Sequence, residues 1–281
     1  MGAGQAIGRP GGLSALLLLL PAVAWAQVAP NQTTLSLHPT DVTDARALWV
    51  NPAGLGRIEE ASVHLDVTVG DPGSAGRLRQ LTLGFNSRGL SFGYQRDVFD
   101  GGLRGHTYRF GFAGGRERLA LGLAIALYRG DASSTGWNVG LVYDVAPALT
   151  IGGVIENLGH PAVRDSTLAV TYVPGATLHL FGPRAALSAH GRLTSDRVAG
   201  YAFGLRAGVR ESTSRPLRLL VRLDTDHALR RAAFAFGLSL GREDVVGAVA
   251  RTPGGLGRLD ALSLYGVSTR RFSRARGGAA P

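Results

Sequence analysis

The chain has no cysteine and no lysine; all 30 of its basic residues are arginine. Without a thiol there is no disulfide framework, no thiolate nucleophile and no lipidated cysteine anchor. Without an ε-amino group there is no Schiff-base lysine, no Ser–Lys dyad and no phosphate-loop lysine. Beyond the amino-terminal region no run of 18 apolar residues occurs, so the sequence holds no membrane-spanning helix. His38, His64, His106, His160, His179, His190 and His227 fall in no H-x-x-x-H, H-x-H or G-x-S-x-G context. Neither a zinc site nor a nucleophile elbow is signalled, and no catalytic residue, metal ligand or cofactor is expected. The net charge of +10 comes from arginines scattered singly, never in runs with stacking aromatics, so it does not point to nucleic acid.

What is present begins with a leader. Arg9 precedes the apolar run Leu13–Val23, and Ala24-Trp25-Ala26 has the small-x-small pattern of a cleavage site. Residues 1–26 therefore read as a secretory signal, with the mature chain starting near Gln27. The whole chain is 45% hydrophobic and rich in glycine, with 41 of them.

From residue 60 onward nearly every segment alternates with period two, the spacing of strands with two unlike faces. Candidate strands lie at 61–69, 77–86, 88–97, 105–113, 117–128, 135–144, 148–156, 166–173, 185–193, 199–210, 216–224, 232–240, 244–251 and 259–269. Most approach the ~9–11 residues that a tilted strand needs to cross a bilayer. Tight turns such as Asn86-Ser87-Arg88-Gly89 and Ala146-Pro147 alternate with longer loops such as Asp97–Arg104 and Asn157–Asp165, as bacterial barrels do. Residues 173–185, with Pro174-Gly175 and Gly182-Pro183, fit an extra short strand or a long turn.

The expected fold is all-β, a closed antiparallel transmembrane barrel of fourteen strands over 61–272, followed by a disordered tail, 273–281. Its place is the outer membrane of a Gram-negative cell, in contact with outer-membrane lipid. Leu121, Leu123, Phe203 and Leu219 are expected to face lipid, and an arginine at Ala124, on the inner face, to be tolerated. Tyr94, Tyr128, Trp137, Tyr143, Tyr172, Tyr201 and Tyr265 are expected in interfacial girdles. The same parity places Thr107, His190, Arg109, Asn138, Asp144, Arg192, Arg206, Arg210, Arg218, Arg222 and Asp224 on the lumen wall. These arginines either pair with acids to brace the wall or line an anion path.

Residues 27–60 do not alternate. Asp41–Val50 is expected to form a short helix capped by Thr40 or Asp41, ended by Pro52. The stretch Asp44-Ala45-Arg46-Ala47-Leu48-Trp49-Val50-Asn51-Pro52-Ala53-Gly54-Leu55 resembles the D-x-x-A-x-x-W-x-N-P-A-G-L segment of the long-chain fatty-acid transporter (FadL-like) superfamily, with one residue fewer between the alanine and the tryptophan. That superfamily includes PorV-like accessory barrels of type IX secretion. Glu156-Asn157-Leu158-Gly159 resembles its mid-barrel N-L-G element.

The resemblance implies an amino-terminal plug, carried by Asp44, Leu48, Trp49, Asn51, Pro52 and Gly54, ahead of a 14-stranded barrel. The plug helix should sit under the first strand with Trp49 on the inner wall. The G-M-G-G-A stretch usual upstream of the motif is absent here. Two functions follow as expectations. One is a passive, plug-gated conduit for small hydrophobic molecules; the other is a non-transporting docking barrel for secretion or envelope assembly. Neither names a protein partner.

Overall fold

The computed structural model describes residues 31, 33–57, 60–70, 76–98, 104–130, 133–163, 166–210, 215–253 and 258–271. The expected leader, 1–26, and tail, 273–281, lie outside the described residues. Fourteen strands close into one antiparallel barrel. They are β1 (Glu60–Gly70), β2 (Arg77–Ser87), β3 (Leu90–Val98), β4 (Arg104–Arg116), β5 (Leu119–Arg129), β6 (Ser134–Ala146), β7 (Leu149–Leu158), β10 (Thr171–Leu180), β11 (Ala185–Leu193), β12 (Val198–Arg210), β13 (Leu217–Thr225), β14 (Arg231–Leu240), β15 (Asp244–Pro253) and β16 (Ala261–Arg271). The short strands β8 (Ala162–Val163) and β9 (Ser166–Thr167) form a separate ribbon in the β7–β10 connection. β1 pairs with β16 from Glu60↔Arg271 to Gly70↔Ala261, which closes the wall and leaves no free edge.

Alternation places thirteen strands near their expected positions. The eighth differs: it runs over Thr171–Leu180, not 166–173, and carries Pro174-Gly175 inside it. Proline has no N–H for a ladder bond. Pro174 is accommodated because pairing with β11 is interrupted between Tyr172↔Leu193 and Gly175↔His190, while Pro174 still lies opposite Gly153 of β7. Residues 166–167 go instead to the ribbon, which ties to the barrel through a bond from the Ala162 amide to Ser134 Oγ at 2.9 Å.

The two ends of the barrel differ. One carries the tight connections Arg88-Gly89, Glu117-Arg118 and Pro147-Ala148. Arg88 and Gly89 have φ of 50° and 84°, the paired positive angles of a two-residue hairpin whose twist matches its strands. The other end carries the longer connections, among them the one containing the β8–β9 ribbon.

The outer face is apolar in strand after strand. Leu119 and Leu121 on β5, Leu141 and Tyr143 on β6, Phe203 and Leu205 on β12, and Phe236 and Leu238 on β14 are all exposed, Leu121 by 51%. Such a continuous face far exceeds what a soluble monomer shows to water. Two expected girdle residues, Tyr128 and Tyr265, instead point inward and are buried. Tyr265 pairs with the inward Asp66 and so shares its face. The inward face of β1–β3 is packed with polar side chains, including Ser62, His64, Asp66, Thr68, Gln80, Thr82, Asn86 and Gln95.

Candidate functional site

Residues 31–57 run through the lumen, and their two halves are held differently. The first to consider is 47–57. Its α-helix covers only Ala47–Val50, beginning at Arg46 without a side-chain cap, and a 3-10 helix follows over Pro52–Arg57. The longer helix expected over 41–50 does not form because its capping groups bond elsewhere. The Thr40 hydroxyl meets Thr177 Oγ1 at 2.7 Å, and Asp41 pairs with Arg206 at 2.8 Å. Asn51 is extended, with φ −155° and ψ 107°, as the following proline requires.

This half sits in a lane of glycines on the inner wall. A methyl group at Gly93 would lie 2.8 Å from both Leu48 Cδ2 and Trp49 Cζ2, and one at Gly111 would lie 2.6 Å from Leu48 Cδ1. Methyls at Gly122 and Gly140 would overlap Pro52 and the Asn51 amide oxygen. Leu48, Ala53 and Leu55 are fully buried there, and Ala124 belongs to the same apolar cluster, so an arginine at Ala124 has no room. Trp49 is 7% exposed and lies against Gly93, with the Arg109 guanidinium 4.9 Å from its ring centre. Arg109 Nη1 also donates to the Leu48 carbonyl at 3.2 Å.

Asn51 fixes the turn. Its side-chain amide donates to the carbonyls of Pro39 (2.9 Å), Leu141 (3.3 Å) and Gly153 (3.3 Å), and its oxygen accepts from the Ala53 amide at 3.1 Å. Gly54 does not use a positive φ. It is needed for space, because a side chain there would strike the Val42 carbonyl. At the tight-turn end Arg57 pairs with Asp144, which also accepts from the Thr150 hydroxyl at 2.6 Å.

The other half, 31–46, is held by polar groups. Arg222 donates to the Leu37 carbonyl at 2.7 Å and pairs with Asp224 at 2.7 Å. His38 Nδ1 lies 3.0 Å from His190 Nδ1, both rings buried. Burial, helped by the charge of Arg222, pushes the His38 pKa down to about 3, so the ring is neutral. Burial also lifts the Asp41 carboxyl, partly offset by Arg206. For Asp44 burial acts upward too, but the charge and hydrogen bonds of Arg46 outweigh it and hold the carboxyl low. Arg46 in turn stacks over Tyr265, 4.9 Å from the ring centre.

The remaining expected lumen residues fall as follows. Asn138 is buried and accepts from the Asn157 amide at 3.0 Å, at the left-handed turn (Asn157 φ 62°, Gly159 φ 89°) that ends β7. Thr107, Arg192 and Asp224 line a cavity of about 520 Å³ on the long-loop side, together with Trp49, Val50, Tyr128, Tyr201 and Arg109. Arg218 and Arg206 line a second cavity of about 310 Å³ toward the tight-turn side. Arg210 does not join them. A register shift between Gly208 and Arg210 sets it opposite Leu217, a residue of the outer face, and turns it outward at the rim.

Leu37, His38, Thr40, Thr177 and Ser188 were not legible as a constriction. Leu37 borders both cavities, and the Thr177 hydroxyl also meets Ser188 Oγ at 2.8 Å. The strip from Ser36 to Thr40 therefore separates two cavities in one lumen.

The barrel is similar to two solved channels. The CymD monoaromatic hydrocarbon channel is 11% identical, with a TM-score of 0.53 over 85% of this chain and 95% of that one. The toluene transporter TodX of P. putida is 11% identical, with a TM-score of 0.53 over 82% of this chain and 95% of that one. At that identity the likeness is one of fold. No protein-family model and no curated protein matches the chain.

Proposed function

We propose that the chain is an outer-membrane conduit for small hydrophobic molecules, with its amino-terminal segment, 27–60, as the plug. The observation that carries this reading is the interrupted lumen: two cavities, about 520 and 310 Å³, share Leu37 and are parted by one strip of chain. Each is of the size that takes a small ligand. The apolar outer face suits a hydrocarbon environment, and barrel closure satisfies the backbone there. Cleavage after Ala26, export, and turns facing the periplasm belong to the same reading. The similar folds of a monoaromatic hydrocarbon channel and a toluene transporter support apolar cargo. Trp49, Val50 and Tyr128 give the larger cavity an apolar side on which such cargo would rest.

One observation favours the other reading, a docking barrel whose lumen is permanently filled. The segment is bonded to the wall by Arg206–Asp41, by Arg222 to Leu37 within the strip, and by Arg57–Asp144. A reversible lock separates the two. The chain has no cysteine, and the Thr40 and Thr177 hydroxyls lie 2.7 Å apart, so Thr40→Cys with Thr177→Cys should close a disulfide. In proteoliposomes the oxidised double variant should lose uptake of a hydrophobic probe such as toluene and regain it on reduction. Equal uptake in both redox states would defeat gating by the strip. No uptake in the reduced or wild-type protein would favour the docking barrel.

A further inference from the structure

The smaller cavity has a feature that a path for apolar cargo does not explain. It is bounded by strip residues 36–46 on one side and by the inner faces of β11–β16 on the other, with the β14–β15 turn at its mouth. Four arginines, Arg46, Arg206, Arg218 and Arg242, border it, against Asp41, Asp44 and Glu243. Two of these charges are already answered: Arg46 by Asp44 at 2.7 Å, and one Nη of Arg206 by Asp41 at 2.8 Å.

The rest are not. Arg218 makes one long bond, 3.5 Å to the Gly241 carbonyl, and no ion pair among the described residues. Arg242 has no ion pair or hydrogen bond among the described residues. Arg206 Nε is buried without a hydrogen-bond partner. Ser239 stands directly opposite Arg218 in the β13–β14 register, so its hydroxyl shares the cavity face. Among the described residues Glu243 is the acid at the mouth outside an ion pair, and the neighbouring Asp244 is engaged by Arg270 at 2.8 Å.

From these positions we infer that Arg206, Arg218, Arg242 and Ser239 form a binding site for a small oxyanion of the phosphate or phosphate-monoester class. A buried guanidinium donor without an acceptor is unfavourable, and like charges gathered in one concavity repel until an anion joins them. The donors approach from three adjacent strands, β12 to β14, and a turn, not from one planar fork. A carboxylate is satisfied by a single bidentate arginine, whereas a tetrahedral dianion presents oxygens to several sides. The volume of about 310 Å³ admits phosphate bearing a small organic group. All four residues belong to the wall and its turn, while the segment closes the other side of the cavity and holds one Nη of Arg206 through Asp41.

The test is binding to the full chain folded in detergent, by calorimetry, with phenyl phosphate, inorganic phosphate and benzoate as probes. Phenyl phosphate and phosphate should bind saturably, and benzoate at least about tenfold more weakly, since each lost charge-assisted hydrogen bond is worth about that factor. Arg218→Gln and Arg242→Gln should each weaken phosphate about tenfold, and Ser239→Ala about threefold to tenfold. Arg210→Gln, at the rim but outside the cavity, should bind as wild type does. Heat-modifiable migration on a gel reports whether each variant is a folded barrel, and only folded variants are scored. Absence of saturable phosphate binding to the wild-type chain would overturn the inference. So would unchanged binding in a folded Arg218→Gln, Arg242→Gln double variant, equal loss in Arg210→Gln, or benzoate binding as tightly as phenyl phosphate.

Discussion

Replacing Gly140 with alanine asks whether the glycine lane is a fitted socket. The added methyl would overlap the Asn51 amide oxygen, 3.0 Å from its Cγ and 3.1 Å from the Ala53 amide nitrogen. The Asn51 side chain cannot swing aside without losing its bonds to Pro39, Leu141, Gly153 and Ala53. The two N–H groups of the amide are shared among three carbonyls, so about three bonds are at stake; at about 0.5–1.5 kcal/mol each they set a loss of roughly 1.5–4.5 kcal/mol in seating the turn, comparable to a typical overpacking penalty. The wall itself should be little affected, because Gly140 pairs through its backbone with Gly122 and Val154. Gly114 is the internal control: a methyl there meets nothing within 4 Å. With Trp25 and Trp137 changed to phenylalanine, Trp49 is the sole indole, and acrylamide quenching reads its exposure. Gly140→Ala should raise the quenching constant severalfold, while Gly114→Ala should leave it as in the parent. Equal quenching in the two variants would refute the fitted-socket reasoning.

Acid should loosen the strip through His38. Its folded pKa, about 3, lies below the ordinary 6.5, so its contribution is complete above about pH 6.5 and is lost as pH falls toward 3. By pH 4.5 the loss is roughly 2–3 kcal/mol, seen as faster amide exchange at Leu37, His38 and Thr40, and reduced in His38→Gln, which leaves the buried imidazole of His190 in place. An arginine at Leu123, near the middle of β5 and on its outer face, should destabilise the folded barrel by about 2–4 kcal/mol in a bilayer. Arg192→Gln, on the cavity wall, should change stability by less than about 1 kcal/mol, and equal effects would mean the two faces have been exchanged.

The wall was legible because its two faces meet unlike surroundings, so Leu119-Ala120-Leu121-Gly122 already states its orientation. Asn51-Pro52 was legible for a similar reason, since proline restricts its predecessor whatever surrounds it. The eighth strand was misplaced because Pro174-Gly175 carries local turn chemistry that the barrel overrides by leaving a gap in one ladder. Arg210 was placed on the wrong face by strict parity, which one bulge reverses. The constriction left no local trace. His38 and His190 are 152 residues apart and meet only because the segment threads the closed barrel. The inward glycines Gly93, Gly111, Gly122 and Gly140 were visible as small residues, but nothing local distinguishes a socket from a bend.

The segment lies off-centre. Its anchored half presses on β3–β6, and the smaller cavity opens against β11–β16. The lumen is thus a crescent with a bonded flank and a hollow flank. Inward substitutions on the first flank disturb packing, as any core change does. On the second, positions outside the Leu220–Val249–Tyr265 cluster and outside the bonds of Arg206, Arg222 and His190 to the segment alter what the hollow can hold, so selection can retune the contents of this barrel along one arc of its wall without touching the fit between segment and socket.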